Sequence, residues 1–517
     1  MSKFGKFVKD WRGTLWLFFL ILLFALGLRL YHLNLLPVFA DEAIYIRWAQ
    51  VMRAEPTLRF LPLSDGKQPL FMWLVIPFLK FLSDPLIAGR FVSVLAGLST
   101  LVGIFLLSIN LFKSKKVALL ASFLYAISPF GVFFDRMALV DSLLTAFGVW
   151  TLLFGLIVAK SLRLDFAMFA GFSLGGGLLT KSPAIFYALL LPLTWFFARW
   201  PKQKGEKAVH LIKLSGLLLV TFAIGYAMYN VLRLGPNFHL VAQRNQDYVF
   251  PISHLWTNPK DPFIFLVDRS FEWIWAMGPS LVLILALFGV LNIKKFTKEV
   301  LLLLSWFLVP ILVQSEFAKV FTARYILFSL PYLYILAASA FLAPRKLVRL
   351  WVVFLILLFF QAIKFDYLLL TAPEKANLPP SERTGYLEEW TSGYGIKEIA
   401  EFLKEEQRKE PNKKIVVGTE GYFGTLPDGL QMYLNDTPEI TVIGVGIYIV
   451  EVHPSLIESK KAANKTYLVV NNTRLRGEPE EMGLVLVGSY PKALRTEGTK
   501  EYILYGPQEA LLFFEVE

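Results

Sequence analysis

Apolar runs of about twenty residues recur through the first 370 residues of this chain, and a run of that length crosses bilayer hydrocarbon as a helix. Candidate spans fall at 13–33, 86–111, 116–134, 138–160, 165–180, 184–200, 211–232, 272–292, 299–314, 324–343 and 348–370, about eleven in all. Composition agrees. Of 517 residues, 56% are hydrophobic and 18% charged, less charge than a soluble chain of this length carries.

The segment Met1 to Arg12 is basic and an apolar stretch follows from Thr14 to Leu30. That stretch is long for a cleaved leader, and no small-residue cleavage site follows it, so it reads as the first span. With the N-terminus in the cytoplasm, every second loop is cytoplasmic. Those loops carry Lys113, Lys115 and Lys116; Lys160 and Arg163; Arg199, Lys202, Lys204 and Lys207; Lys294, Lys295 and Lys298; and Arg345, Lys346 and Arg349. This alternation is the positive-inside pattern. It places 34–85, 233–271 and the whole C-terminus outside a cell membrane. It also explains the net charge of +12 without a nucleic-acid partner. The absence of cysteine excludes disulfides and thiolate metal sites.

The first outer loop holds Asp41-Glu42, Arg47 and Trp48, then a second apolar run from Pro69 to Phe81. That run is too short to span and reads as an interfacial or re-entrant helix. Loop 233–271 is polar, rich in Trp, Phe and Pro, and reads as lying over the membrane.

From about Thr371 Glu, Lys, Gly and Pro rise and apolar runs shorten. A helix is expected over Ile396 to Arg408, with strands at Lys414–Gly418, Tyr467–Asn471, Leu484–Val487 and Glu501–Tyr505. The expected fold is thus a polytopic α-helical membrane bundle over 1–370, followed by an extracytoplasmic α/β or α+β domain over 371–517.

Ionisable groups in or beside spans are costly and default to function. Asp41, Glu42, Lys67, Arg90, Asp135, Arg136, Asp141, Lys181, Glu316, Lys319 and Arg324 all fall at outer span ends or in outer loops. Each has a structural alternative. Asp41-Glu42 would sit well at the N-terminus of a helix, and Lys67 and Lys319 could snorkel. Asp135-Arg136 could form a local ion pair, and Lys181 and Arg324 could neutralise buried acids. As a set they describe a cavity of mixed acids and bases. Its chemistry suits transfer from a phosphorylated lipid: a carboxylate deprotonates an acceptor hydroxyl, while Arg and Lys hold a phosphate and stabilise the charge that builds there. Gly175-Gly176-Gly177 before Thr180-Lys181 lies inside a span without phosphate-loop spacing and reads as close helix packing. Sequons start at Asn435, Asn464 and Asn471, and Glu388-Glu389-Trp390 with Gly393 and Gly395 reads as a binding lip or as the entry turn of the domain.

The ordered motifs resemble a known family. Asp41-Glu42 follows the first span, then come Lys67-Gln68-Pro69-Leu70 and Arg90. Arg136-Met137-Ala138-Leu139-Val140-Asp141 follows the third span, Thr180-Lys181-Ser182-Pro183 the fifth, and Ala323-Arg324-Tyr325 opens a late one. Over about residues 10–370 this resembles the GT-C membrane glycosyltransferases, in particular the protein O-mannosyltransferase and aminoarabinose lipid A transferase group. The resemblance implies a sugar donor on dolichyl or undecaprenyl phosphate, and an acceptor that is a protein, lipid or glycan. It implies Asp41 as base with Glu42 beside it, Asp141 as a further acid, and Arg90, Arg136, Lys181 and Arg324 near the donor phosphate. Lys67-Gln68-Pro69 stands where relatives often carry Glu-Lys-Pro, Lys-Pro-Pro or His-Pro-Pro, a departure that removes one candidate metal ligand; Lys67 is counted with the donor-phosphate residues. No cofactor is assumed, a divalent metal being compatible with the set. A lipid-sugar transporter or flippase is the alternative, but it would more often show internal repeats and charges near the midplane. A non-catalytic anchor would not require so many charges at span ends.

Overall fold

The computed structural model describes residues 3–342 and 345–517; the side chains of 3–9, 204 and 345–348 are outside this description. Met1 and the side chains of Lys204, Arg345 and Lys346, used above to orient the chain, therefore lie outside the described part. The chain divides into two compact units. One comprises 1–33, 59–71 and 90–372; the other comprises 34–58, 72–89 and 373–517.

The first unit is helical. Among the described residues, seven helices are long and apolar enough to cross a membrane: Asp10–Leu30, Pro85–Phe112, Val140–Ser161, Gly205–Leu234, Thr297–Phe317, Ala323–Leu342 and Arg349–Thr371. An eighth candidate is the pair Phe263–Met277 and Leu281–Lys294, bent by 110°. The chain is a multi-pass membrane protein, but the expected eleven full spans are not all present as single long helices. Expected span 116–134 is broken into Lys115–Ala126 and Pro129–Phe134, because Pro129 cannot continue the preceding helix. Expected spans 165–180 and 184–200 become the shorter apolar helices Leu164–Thr180 and Ser182–Phe197, separated at Lys181 and restarted at Pro183.

The glycine run does pack helices closely. A Cβ on Gly175 would lie 2.5 Å from Met228 Sδ, and one on Gly176 would lie 2.4 Å from the Phe147 ring. The Thr221 hydroxyl adds a hydrogen bond to the Ala167 carbonyl across the same helix pair, at 3.0 Å.

The second unit joins part of the first loop to the C-terminal domain. Strand β1 (Val38–Phe39) pairs antiparallel with β2 (Ser392–Gly393). The remaining strands are β3 (Ile415–Glu420), β4 (Ile440–Gly446), β5 (Lys465–Asn471), β6 (Leu484–Leu494) and β7 (Gln508–Val516), in the spatial order β4-β3-β5-β7-β6. β3 runs parallel to β4 and β5, while β7 is antiparallel to β5 and β6. One face buries Leu456, Leu468, Val470 and Phe514. On the other, Phe402 of helix Ile396–Lys409 packs on the rings of Tyr467 and Phe513.

One expected strand is corrected. Residues 501–505 form the end of helix Lys500–Tyr505, because the Thr499 hydroxyl caps it by accepting from the Tyr502 N–H and Gly506 ends it at a φ of 80°. The edge strand β4 and the long strand β7 were not anticipated from the sequence.

Leu468 is fully buried in this core. Leu468→Ala should destabilise the unit by about 2–5 kcal/mol. A thermal melt in detergent checks this, and an unchanged transition would mean that this core does not carry the unit.

Candidate active site

A helix that ends in a water-poor setting leaves its last four carbonyls without partners. The first helix ends at Leu30, and Arg136 meets its carbonyls. Nη1 of Arg136 donates to the carbonyls of Leu28 at 3.0 Å, Arg29 at 3.1 Å and Tyr31 at 2.6 Å, and Nη2 donates to His32 at 2.9 Å. The guanidinium is 1% exposed. Its neighbour Asp135 does not pair with it, contrary to the local ion pair considered above. Asp135 accepts instead from Arg29 Nε at 2.9 Å and from the Tyr125 hydroxyl at 2.9 Å, all three buried. Gly97 makes room for this carboxylate, since a Cβ there would lie 2.3 Å from Asp135 Oδ2. Asp366, in the last span, is 1% exposed, and neither of its carboxylate oxygens has a hydrogen-bond partner among the described residues. It feels the charges of Arg29 and Arg136. Arg29 and Asp366 were missed in the sequence because each sits singly inside an apolar run.

A second group gathers at the ends of other helices. Asp141 lies in the first turn of helix Val140–Ser161, and Lys181 follows the end of Leu164–Thr180. They pair at 2.7 Å, Asp141 being nearly buried and the Lys181 side chain 21% exposed. Asp141 Oδ2 is buried without a hydrogen bond. The Lys181 ammonium also lies 3.8 Å from the centre of the Tyr325 ring, and the Arg324 guanidinium lies 5.6 Å from the same ring. One aromatic ring thus neighbours two cations.

The Lys67 loop joins this group. Gln68 Nε2 donates to Ser182 Oγ at 2.9 Å, beside Lys181. Lys67 lies 3.2 Å from Asp65, which also faces Arg244 at 3.6 Å. Arg244 is a basic group that the sequence did not single out, since it falls in a polar outer loop. Arg90 is fully buried and donates to the Leu33 carbonyl at 2.7 Å. The structure therefore brings Lys67, Asp141, Lys181 and Arg324 into one neighbourhood. It gives Arg136 a separate task at the end of the first helix.

Asp41 and Glu42 belong to the second unit, where they open helix Ala40–Ala54. Glu42 is fully buried, and its carboxylate accepts from the Phe39 N–H at 3.0 Å, the reciprocal half of a capping box. Asp41 is half-buried in the same first turn. The helix start is fixed from the C-terminal domain. The Ala40 N–H donates to the Thr391 carbonyl at 3.0 Å, and Phe39 packs on Tyr386 with ring centres 4.4 Å apart. Gly393 is required there, because its Cβ would lie 2.5 Å from Val38 Cγ1 and 2.7 Å from the Val38 carbonyl oxygen. Further along the helix, Gln50 Nε2 donates to the Met432 carbonyl at 2.8 Å and Arg47 donates to Asn435 Oδ1 at 2.7 Å. Burial pushes the Arg47 guanidinium down, against the pull of Asp428. Among the described residues, no three His, Asp or Glu side chains gather as a metal-ligating group.

Orphaning buried carbonyls costs about 1–3 kcal/mol for each group. Arg136→Gln should therefore lower the melting temperature by several degrees and leave the KM for a lipid-linked donor unchanged in the folded fraction. A raised donor KM with no loss of stability would return Arg136 to the ligand site.

Residues 66–226 match the family model of the dolichyl-phosphate-mannose-protein mannosyltransferases. No curated protein matches the sequence. The crystal structure of ArnT from Cupriavidus metallidurans in the apo state aligns with a TM-score of 0.54 at 15% identity, covering 99% of this chain and 98% of that one. The same protein bound to undecaprenyl phosphate aligns with a TM-score of 0.53 at 16% identity, with the same coverage. At these identities the likeness establishes the fold. The chain thus matches that family model over residues 66–226 and has the fold of ArnT over its whole length.

Proposed function

We propose that the protein transfers a sugar from a polyprenyl-phosphate carrier to a hydroxyl of a protein, lipid or glycan on the outer face of a cell membrane. The observation that carries this reading is the cluster in which Lys181 pairs with Asp141 and shares the Tyr325 ring with Arg324. A phosphate needs this kind of partner: cations held in place, partly exposed, next to an apolar bundle that takes a lipid tail. ArnT, which has the same fold, has been solved with undecaprenyl phosphate bound.

In this proposal Lys181, Arg324 and Lys67 hold the donor phosphate, and Asp141 fixes the Lys181 ammonium. Arg90 supports the site from its place beside the end of the first helix. Asp41 takes the proton of the acceptor hydroxyl, and Glu42 holds the helix start that presents it. The acceptor oxygen attacks the anomeric carbon, the bond from that carbon to the phosphate oxygen breaks, and the phosphate leaves with the electron pair. The cations stabilise the charge that grows on it. A single displacement of this kind inverts the anomeric centre. No cofactor enters the proposal.

Purified protein given a panel of radiolabelled polyprenyl-phosphate sugars and a membrane extract should transfer label. Asp41→Asn should abolish turnover with an unchanged melting temperature; normal turnover would remove Asp41 as base. Arg324→Ala should raise the donor KM about tenfold or more, the loss expected for a charge-assisted phosphate contact, and an unchanged donor KM would remove Arg324 from the phosphate site. Passage of the same lipids across reconstituted vesicles without donor consumption would overturn the transferase reading in favour of a flippase.

A further inference from the structure

The C-terminal domain carries a second candidate site at the carboxyl ends of its parallel strands. The chain leaves β3 for β4 on one side, then crosses to β5 on the other. Loops after β3 and β5 therefore part in opposite directions, and open α/β sheets bind ligands at such a crossover. β3 ends in Glu420 and β5 in Asn471, both 2% exposed. The Asn471 backbone N–H and its Nδ2 each donate to the Glu420 carboxylate at 2.7 Å. Asn471 Oδ1 is left buried with no hydrogen-bond partner. A buried amide oxygen without a donor is costly and calls for one. The same bonds exclude Asn471 as a glycosylation acceptor.

The three strand-end loops are latched to one another. The Gly421 N–H donates to the Gly446 carbonyl at 2.7 Å, Ile449 accepts from the Arg476 N–H at 2.7 Å, and the Ile449 N–H donates to the Arg474 carbonyl at 2.9 Å. Arg474 and Arg476 flank the bridge residue Leu475. Each lies over an aromatic ring, Arg474 over Trp390 at 4.1 Å and Arg476 over Tyr448 at 5.2 Å. Arg474 Nε stands 3.6 Å from Glu420, and the Nη atoms of both arginines make no hydrogen bond among the described residues. Tyr448 is 59% exposed and Tyr422, in the loop after β3, 67%. Within this buried charge group, burial pushes the Glu420 carboxyl up and the Lys492 ammonium down.

We propose that this edge binds an anionic saccharide, a sugar ring carrying a phosphate or a carboxylate. Guanidinium groups held over aromatic rings suit an oxyanion. Exposed tyrosine rings suit the C–H face of a pyranose. A cavity of about 630 Å³ in this unit, between Arg53 and Lys404, offers less, because two of its lysines already hold acids. There Lys397 holds Asp84 at 2.7 Å, Lys404 holds Asp436 at 2.7 Å, and Arg53 donates to the Leu79 carbonyl. The proposal does not rest on the transferase reading.

The test is saturation-transfer NMR and titration on the full chain, in a detergent without a sugar headgroup. Glucose 6-phosphate, glucuronic acid, glucose and inorganic phosphate serve as probes. At least one of the two anionic sugars should bind about tenfold tighter than glucose and than phosphate alone, and which of them does so names the anion. Arg474→Gln should weaken that binding about tenfold. Arg476→Gln and Tyr448→Ala, both at exposed positions, should weaken it severalfold with unchanged melting temperatures. Equal binding of glucose and the anionic sugars would overturn the proposal, as would phosphate binding as well as either sugar. Binding that survives all three variants would place the ligand elsewhere and also overturn it.

Discussion

The first helix ends where its carbonyls cannot turn to water, and the way those carbonyls are met governs much of the first unit. In a bilayer each backbone polar group must find a partner within the protein. Arg136 supplies four donor contacts to that helix end, and Arg29, one residue before the helix stops, ties Asp135 and Tyr125 to it. Arg29 also donates to the Ala126 carbonyl, at the break before Pro129. Two broken helix ends are thus closed by two arginines and one acid. The third-span break, which a Pro alone would leave exposed, becomes a defined joint between Lys115–Ala126 and Pro129–Phe134.

The membrane part was legible because the bilayer imposes a length and a charge pattern that a sequence shows directly. Where a proline interrupts an apolar run, as at Pro129, hydropathy alone could not tell one span from two short helices, and on either side of Lys181 it could not tell full spans from shorter apolar helices. The candidate site was legible as a set and less so residue by residue. Lys67, Asp141, Lys181 and Arg324 do converge, whereas Arg136 looks the same in sequence and serves a helix end. An arginine at a span end satisfies carbonyls or holds an anion, and only the position of the neighbouring helix terminus decides which. Strand β7 was hidden for a different reason. Its own pattern is nearly continuous in apolar residues from Ala510 to Phe514, so the alternation that marks a half-buried strand is weak there.

The division of the chain also departs from what span counting suggests. Residues 34–58 and 72–89 pack with 373–517, so much of the first outer loop, though not 59–71, is part of the C-terminal domain's compact unit. Only two residues of β1 pair with two of β2. The Ala40 N–H bond to Thr391, the Phe39 contact with Tyr386 and the Gln50 bond to Met432 extend that seam along the helix. A segment that would otherwise be a long loop between spans gains a rigid platform.

That platform explains why two adjacent acids need not share a role. Glu42 reaches back to the Phe39 N–H and is fully buried, so its carboxylate helps close the helix start. Asp41 stands one position earlier in the turn and keeps part of its surface open. The helix dipole favours a carboxylate at either place, but only Asp41 keeps part of its surface exposed. Because Val38, Phe39 and Ala40 are all held by residues 386–393, the orientation of Asp41 is set from the C-terminal domain. On this argument residues 391–393 hold the first turn of helix Ala40–Ala54 in place, and loosening them would change the direction in which Asp41 points.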